Sequence, residues 1–161
     1  MKTDKRTVHD TELKKGPVTT GFTLGKFAPL HRGHQLMIET AIEENDEVIV
    51  LIYDSPEVTD VPLPVRAGWI RKLYPGVEVI EAWDGPVENG YTPEIQKMHE
   101  EHILALLGGR KITRFYSSER YGEHVSAALG AQNRQVDPGR LKVPVSGTRV
   151  RHDPYGRRGY V

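Results

Sequence analysis

Two histidines three residues apart, His31 and His34, close the segment Gly25-Lys26-Phe27-Ala28-Pro29-Leu30-His31-Arg32-Gly33-His34. On the first turn of a helix that spacing lets both imidazoles point at one spot. Imidazole N–H groups there can donate to the non-bridging oxygens of a phosphate as charge builds on phosphorus in a transition state. Gly25 lets a ligand approach the backbone, and Pro29 stiffens the turn. Gly33 leaves open the helix start, where unpaired N–H groups and the helix dipole favour anions. Lys26 can neutralise a leaving pyrophosphate. More than a hundred residues further on comes Val145-Ser146-Gly147-Thr148-Arg149-Val150-Arg151. Ser146 and Thr148 are good helix caps, but two hydroxyls and two arginines at a helix start also make a clamp for a triphosphate.

Simpler readings compete. A histidine pair at helical spacing is often only a surface feature, and two ligands without a well-spaced third make a poor metal site. A P-loop is excluded: Gly21-Phe22-Thr23-Leu24-Gly25-Lys26-Phe27 has three spacers rather than four and lacks the Ser or Thr that holds Mg²⁺. His99-Glu100-Glu101-His102 is not a zinc-protease motif either, because its histidines are three apart. It reads as the surface of a helix, with His99 able to border a site.

The elements that would position these groups alternate along the chain. Val18–Gly25 reads as a strand, and residues 32–44 as a helix with Met37, Ile38, Ala41 and Ile42 on one side. Val48–Tyr53 is a β-branched run of the kind buried on both faces of a sheet. Residues 64–73 read as helix and Val77–Ile80 as strand. Pro93–Leu107 places Ile95, Met98, Ile103, Leu106 and Leu107 at helical spacing before Gly108-Gly109. Ile112–Tyr116 is strand-like, 120–129 helix-like and Arg134–Val136 extended. This alternation implies an α/β fold, a Rossmann-like, doubly wound parallel sheet of about five strands, with ligands beyond the strands' carboxyl ends. Residues 1–16 read as a flexible lead-in and 17–161 as a single domain.

Composition narrows the function. The chain has 161 residues, 22 Lys+Arg against 22 Asp+Glu and no cysteine. Zero net charge argues against a protein that grips nucleic acid or an anionic membrane by bulk charge, and disulfides and cysteine nucleophiles are excluded. No apolar run approaches the ~20 residues of a membrane span, and the polar start has no signal-peptide core, so a cytoplasmic protein is expected. The charge is uneven. Residues 41–60 hold seven acids and no Lys or Arg, while residues 139–158 hold six bases and one acid. A local anion site, or merely a solvated basic face, accounts for the latter.

The two motifs together, at opposite ends of one α/β domain, resemble those of the nucleotidyltransferase superfamily: GKFAPLHRGH is similar to its H-x-G-H signature and VSGTRVR to its I-S-x-T-x-x-R signature. The resemblance covers nearly all of residues 18–155. It is greatest to the adenylyltransferase domain of bacterial nicotinamide-nucleotide adenylyltransferases, often fused to a ribosylnicotinamide kinase, through GKFAPLHRGHQLMI, PVRAGWIRKLYP, FYSSERYG and VDPGR. Val145 stands where isoleucine is commoner, and no kinase domain follows before Val161.

That resemblance implies transfer of AMP from ATP to nicotinamide mononucleotide, giving NAD and pyrophosphate by direct in-line attack. Such chemistry is mostly positioning and charge stabilisation. It implies His31 and His34 on the α- and β-phosphate oxygens, with Ser146, Thr148 and Arg151 on the β- and γ-phosphates. Arg66 matches a family arginine that faces the phosphates, its plainer reading being a solvated helix arginine; Arg140 and Arg149 are further candidates. Gly25, Phe27 and Gly33 would line the ATP site, and backbone near Ser117 and Ser118 the adenine. Trp83 is the expected wall for nicotinamide, or else packs on the neighbouring helix, with Asp84 and Tyr91 beside it; Trp69 is expected in the core. Mg²⁺ would ride on the triphosphate with its waters. Expected partners are ATP and nicotinamide mononucleotide, with no nucleic acid or membrane and homo-oligomerisation left open. Two alternatives stand: another small-molecule adenylyl- or cytidylyltransferase, of phosphopantetheine or glycerol-phosphate type, and a non-catalytic nucleotide-binding sensor module.

Overall fold

The β-branched run of the second strand is buried within the sheet, between the first strand and the third. In a computed structural model that describes residues 17–83, 92–117 and 122–136, strand β1 spans Thr20–Gly25, helix α1 Arg32–Glu44, β2 Glu47–Tyr53, α2 Leu63–Leu73, β3 Glu78–Ala82, α3 Pro93–Leu107, β4 Arg114–Ser117, α4 Gly122–Leu129 and β5 Gln132–Gln135. The strands form one sheet in the order β3-β2-β1-β4-β5, and every pairing is parallel.

Alternate residues of β2 supply two cores. Val48, Val50 and Ile52 face Met37, Ile38 and Ala41 of α1 and Leu63, Ala67 and Ile70 of α2. Ile49 and Leu51 face the other way, joining Phe22, Phe115, Ile103 and Leu107 of α3 and Val125 of α4. The sheet is therefore doubly wound, as the sequence implies. Trp69 packs against the first core, matching its expected place. Ile42, by contrast, is exposed; the buried stripe of α1 is narrower than hydrophobicity alone suggests. Met98 of α3 is also exposed.

The strand order reverses between β1 and β4, the switch point where open α/β sheets leave a crevice for ligands. β1 leads straight from this point into the histidine segment. The far end of α1 is tied to the sheet by Asn45, whose Nδ2 donates to the Tyr116 hydroxyl at 2.7 Å. Tyr116 in turn donates to Glu44 Oε1 at 2.7 Å, and Arg134 donates to Glu44 Oε2 at 3.0 Å. Gly21 permits this close packing, because a Cβ there would fall 2.6 Å from Asn45 Nδ2. Among the described residues no helix is long and apolar enough to cross a membrane.

Candidate active site

His31 starts helix α1. As the N-cap residue it has an extended backbone, and its Nδ1 accepts from the backbone N–H of Gly33 at 3.1 Å and of His34 at 3.4 Å. His34, at the third helical position, returns the bond: its Nδ1 accepts from the His31 N–H at 3.2 Å. This is a capping box made from two imidazoles, where Ser or Thr and Glu would be the usual pair. It fixes the chemistry of both rings. A nitrogen that accepts carries no proton, so each neutral ring bears its proton on Nε2. The rings stack at 3.7 Å between centroids and 15° between planes. His31 is 3% exposed, and His34 is half-buried.

The turn before the histidines is equally specific. Phe27 has φ +48°, a left-handed backbone rarely adopted by a bulky residue, and the Ala28–Pro29 peptide is cis. The buried Phe27 ring meets His34 edge-on at 4.5 Å. A Cβ at Gly25 would meet that ring in ordinary contact at 3.4 Å. Lys26 is half-buried with its side chain 41% exposed, its Nζ 3.4 Å from Glu57 Oε2; a pair so open to solvent is weak enough to exchange for a substrate anion. Gly33 contributes its backbone N–H to the cap.

Arg66, which the resemblance set against the phosphates, is not the solvated helix arginine of the plainer reading. It is 1% exposed, and its donors go to backbone carbonyls: Nε to Val61 O at 2.9 Å, and Nη1 to both Lys26 O at 2.7 Å and Tyr53 O at 2.8 Å. Nη2 lies 3.8 Å from Asp54 Oδ1. Burial pulls the guanidinium below its ordinary value, while Asp54 and Glu57 pull it back. Nothing in the sequence marks this arginine as buried, since its helix also carries the exposed Arg71 and Lys72.

Trp83 follows β3 at the same end of the sheet. It is 47% exposed and donates through Nε1 to Glu81 Oε1 at 3.2 Å. Glu81 is braced from behind by Arg71 Nη1 at 2.8 Å, a support that sequence reasoning missed. Ser117 closes β4 beside the switch point, its carbonyl accepting from Val136 N–H at 2.8 Å. Ser118, Asp84, Tyr91, Arg140, Ser146, Thr148, Arg149 and Arg151 lie outside the described residues. Glu100 of the His99–His102 motif binds His124 Nδ1 at 2.7 Å, and His102 Nε2 is buried without a hydrogen-bond partner; this motif is thus a seam between α3 and α4 more than a free surface.

Comparison with known proteins agrees with this fold. The family described as cytidylyltransferase-like matches residues 22–153. The trifunctional NAD biosynthesis/regulator protein NadR of Escherichia coli (strain K12) is 25% identical over 167 residues, taking in 93% of this chain and 40% of that protein. A crystal structure of NadR protein in complex with NAD and AMP-PNP superimposes with a TM-score of 0.65 at 22% identity, over 89% of this chain and 44% of the other. A bifunctional NMN adenylyltransferase/ADP ribose pyrophosphatase from Francisella tularensis does so with a TM-score of 0.51 at 17% identity, over 75% of this chain and 37% of the other. These two structural likenesses carry the fold. The chain spans less than half the length of the relatives it matches.

Proposed function

The chain belongs to the cytidylyltransferase-like family, and from that premise we propose that it is a nicotinamide-nucleotide adenylyltransferase, moving AMP from ATP to nicotinamide mononucleotide and releasing pyrophosphate. The observation that carries this reading is the imidazole capping box. A helix start needs only a hydroxyl or carboxylate to cap it. Two stacked histidines with both protons held on Nε2 suit a different task, donating to oxygens that gain charge in a transition state. The choice of acceptor is supported by the likeness to proteins of NAD biosynthesis, one of them solved with NAD and AMP-PNP.

In the proposed reaction a phosphate oxygen of the mononucleotide attacks the α-phosphorus of ATP in line. The bond from that phosphorus to the α,β-bridging oxygen breaks, and pyrophosphate leaves with the electron pair. His31 and His34 donate to α- and β-phosphate oxygens, and the helix α1 dipole adds to the same field. Lys26 exchanges Glu57 for the departing pyrophosphate. Gly25, Phe27 and Gly33 shape the floor. Ser146, Thr148 and Arg151, with Arg149 and Arg140 nearby in sequence, are assigned to the β- and γ-phosphates, and Ser118 to the adenine side. The exposed Trp83 ring offers a stacking face for nicotinamide, with Asp84 and Tyr91 assigned beside it. Magnesium belongs to the substrate, as the Mg²⁺ complex of ATP.

The test is an acceptor panel. Purified protein is given Mg²⁺ with ATP or CTP, and nicotinamide mononucleotide, nicotinic acid mononucleotide, phosphopantetheine or glycerol phosphate. The highest kcat/KM is expected for ATP with nicotinamide mononucleotide. Turnover confined to CTP, or to a non-pyridine acceptor, rejects this substrate assignment while keeping the phosphate chemistry.

A further inference from the structure

Arg66 is a buried cation with most of its hydrogen bonds spent on main chain, and the three carbonyls it binds come from the ends of β1 and β2 and from the turn before α2. Ordinary packing does not call for a guanidinium there, since burying a charge is costly unless it is fully satisfied. The Lys26 carbonyl is the informative partner. It belongs to the peptide plane that enters Phe27, the residue held at φ +48°. A phenylalanine does not rest in that region unless its surroundings hold it there. Phe27 in turn packs its ring against His34 in a T-shaped pair, and His34 stacks on His31. A contiguous line of contacts therefore runs from the guanidinium through one peptide plane and one aromatic ring to both imidazoles.

We propose that Arg66 is a positioning residue for the histidine pair: by clamping the Lys26 carbonyl it holds Phe27 in its left-handed turn, and Phe27 fixes the orientation of His34 and His31. This assigns Arg66 no direct contact with phosphate. The consequence for turnover rests on the adenylyl-transfer reading; the consequence for the imidazoles does not. Misplacing catalytic donors by a fraction of an ångström to one ångström lowers turnover steeply while leaving remote binding contacts intact.

The experiment compares the full-length wild type with Arg66→Lys, Arg66→Met and Phe27→Leu. Each protein is measured for thermal unfolding, for affinity toward Mg²⁺–AMP-PNP, for kcat and KM in NAD formation, and for the ¹⁵N signals of the His31 and His34 rings. In wild type both rings should give the single Nε2–H tautomer. Arg66→Met should lower kcat by about a hundredfold with AMP-PNP affinity held within about threefold, and should mix the tautomers of both histidines. Arg66→Lys, able to reach a carbonyl with one donor, should recover part of the kcat. Phe27→Leu interrupts the same line one step later and should reproduce the imidazole change, which keeps the inference testable if the Arg66 variants do not fold. Loss of AMP-PNP affinity with unaltered imidazole signals would instead make Arg66 a phosphate ligand and overturn the proposal. So would unaltered kcat and signals in folded Arg66→Met, or unaltered signals in Phe27→Leu. If wild type makes no NAD, the functional reading fails by itself, and the imidazole signals still decide the role of Arg66.

Discussion

Histidine is a weak choice for an N-cap, yet His31 occupies that position and takes two backbone N–H groups on its Nδ1. The arrangement spends Nδ1 on structure and leaves the proton of the neutral ring on Nε2. Either ring, if doubly protonated, loses its cap bonds, because the accepting nitrogen then bears a proton. His34→Ala is expected to cost about 1 kcal/mol of stability through the lost cap, read as a small shift in denaturant midpoint. Turnover should fall by at least about a hundredfold with much of the ATP affinity kept; unchanged turnover would remove His34 from the mechanism. Residue types and spacing were enough to single out both histidines. They were not enough for Arg66 or Phe27. An arginine's burial and a residue's positive φ come from tertiary contacts across β1, β2 and α2, and no local pattern encodes them.

Helix α1 is fixed at both ends, by the imidazole box at its start and by the Glu44–Tyr116–Arg134 cluster at its finish. The Arg134 guanidinium, then the Tyr116 hydroxyl, hold the Glu44 carboxyl below its ordinary value of 4.5. A lowered carboxylate contributes stability above the unfolded value and loses it as pH falls through the folded one. The stability gap between wild type and Glu44→Gln should therefore be widest near neutral pH and narrow below pH 4.5, as urea midpoints at a series of pH values would reveal. A gap that stays constant into acid would contradict it. His102 of α3 is shifted downward from 6.5, by burial first and by His99 second. Its folded value lies below its unfolded one, so its contribution is intact above 6.5 and declines as pH falls. His102→Leu removes a buried ring nitrogen without a partner, and its midpoint should fall less than that of wild type on acidification past 6.5. At this scale the sequence was most readable where hydrophobic periodicity was strong. Pro93–Leu107 is a helix over those same residues, with Thr92 as cap and Gly108 in the left-handed conformation that ends it. The polar strand β5, at the edge of the sheet among the described residues, is displaced instead: Gln132–Gln135 pairs with β4, where the sequence reading placed an extended stretch over Arg134–Val136. An edge strand has one neighbour and little burial to mark it.

Across the whole molecule, the order β3-β2-β1-β4-β5 puts the ends of β1, β2 and β3 along one rim. The histidine turn, the Arg66 clamp and Trp83 follow one another on that rim. Alternation of strands and helices made the parallel sheet foreseeable, and long-range pairing decided the order. The central claim is that this rim moves an adenylyl group from ATP to a pyridine mononucleotide. Its most direct test is to supply ATP radiolabelled at the α-phosphorus with Mg²⁺ and nicotinamide mononucleotide and to follow the label. The account predicts one labelled NAD for each unlabelled pyrophosphate released. Label that stays in ATP, or leaves it only as free AMP, while the protein is folded and holds the nucleotide, would contradict the account and favour a module that binds nucleotide without transferring it.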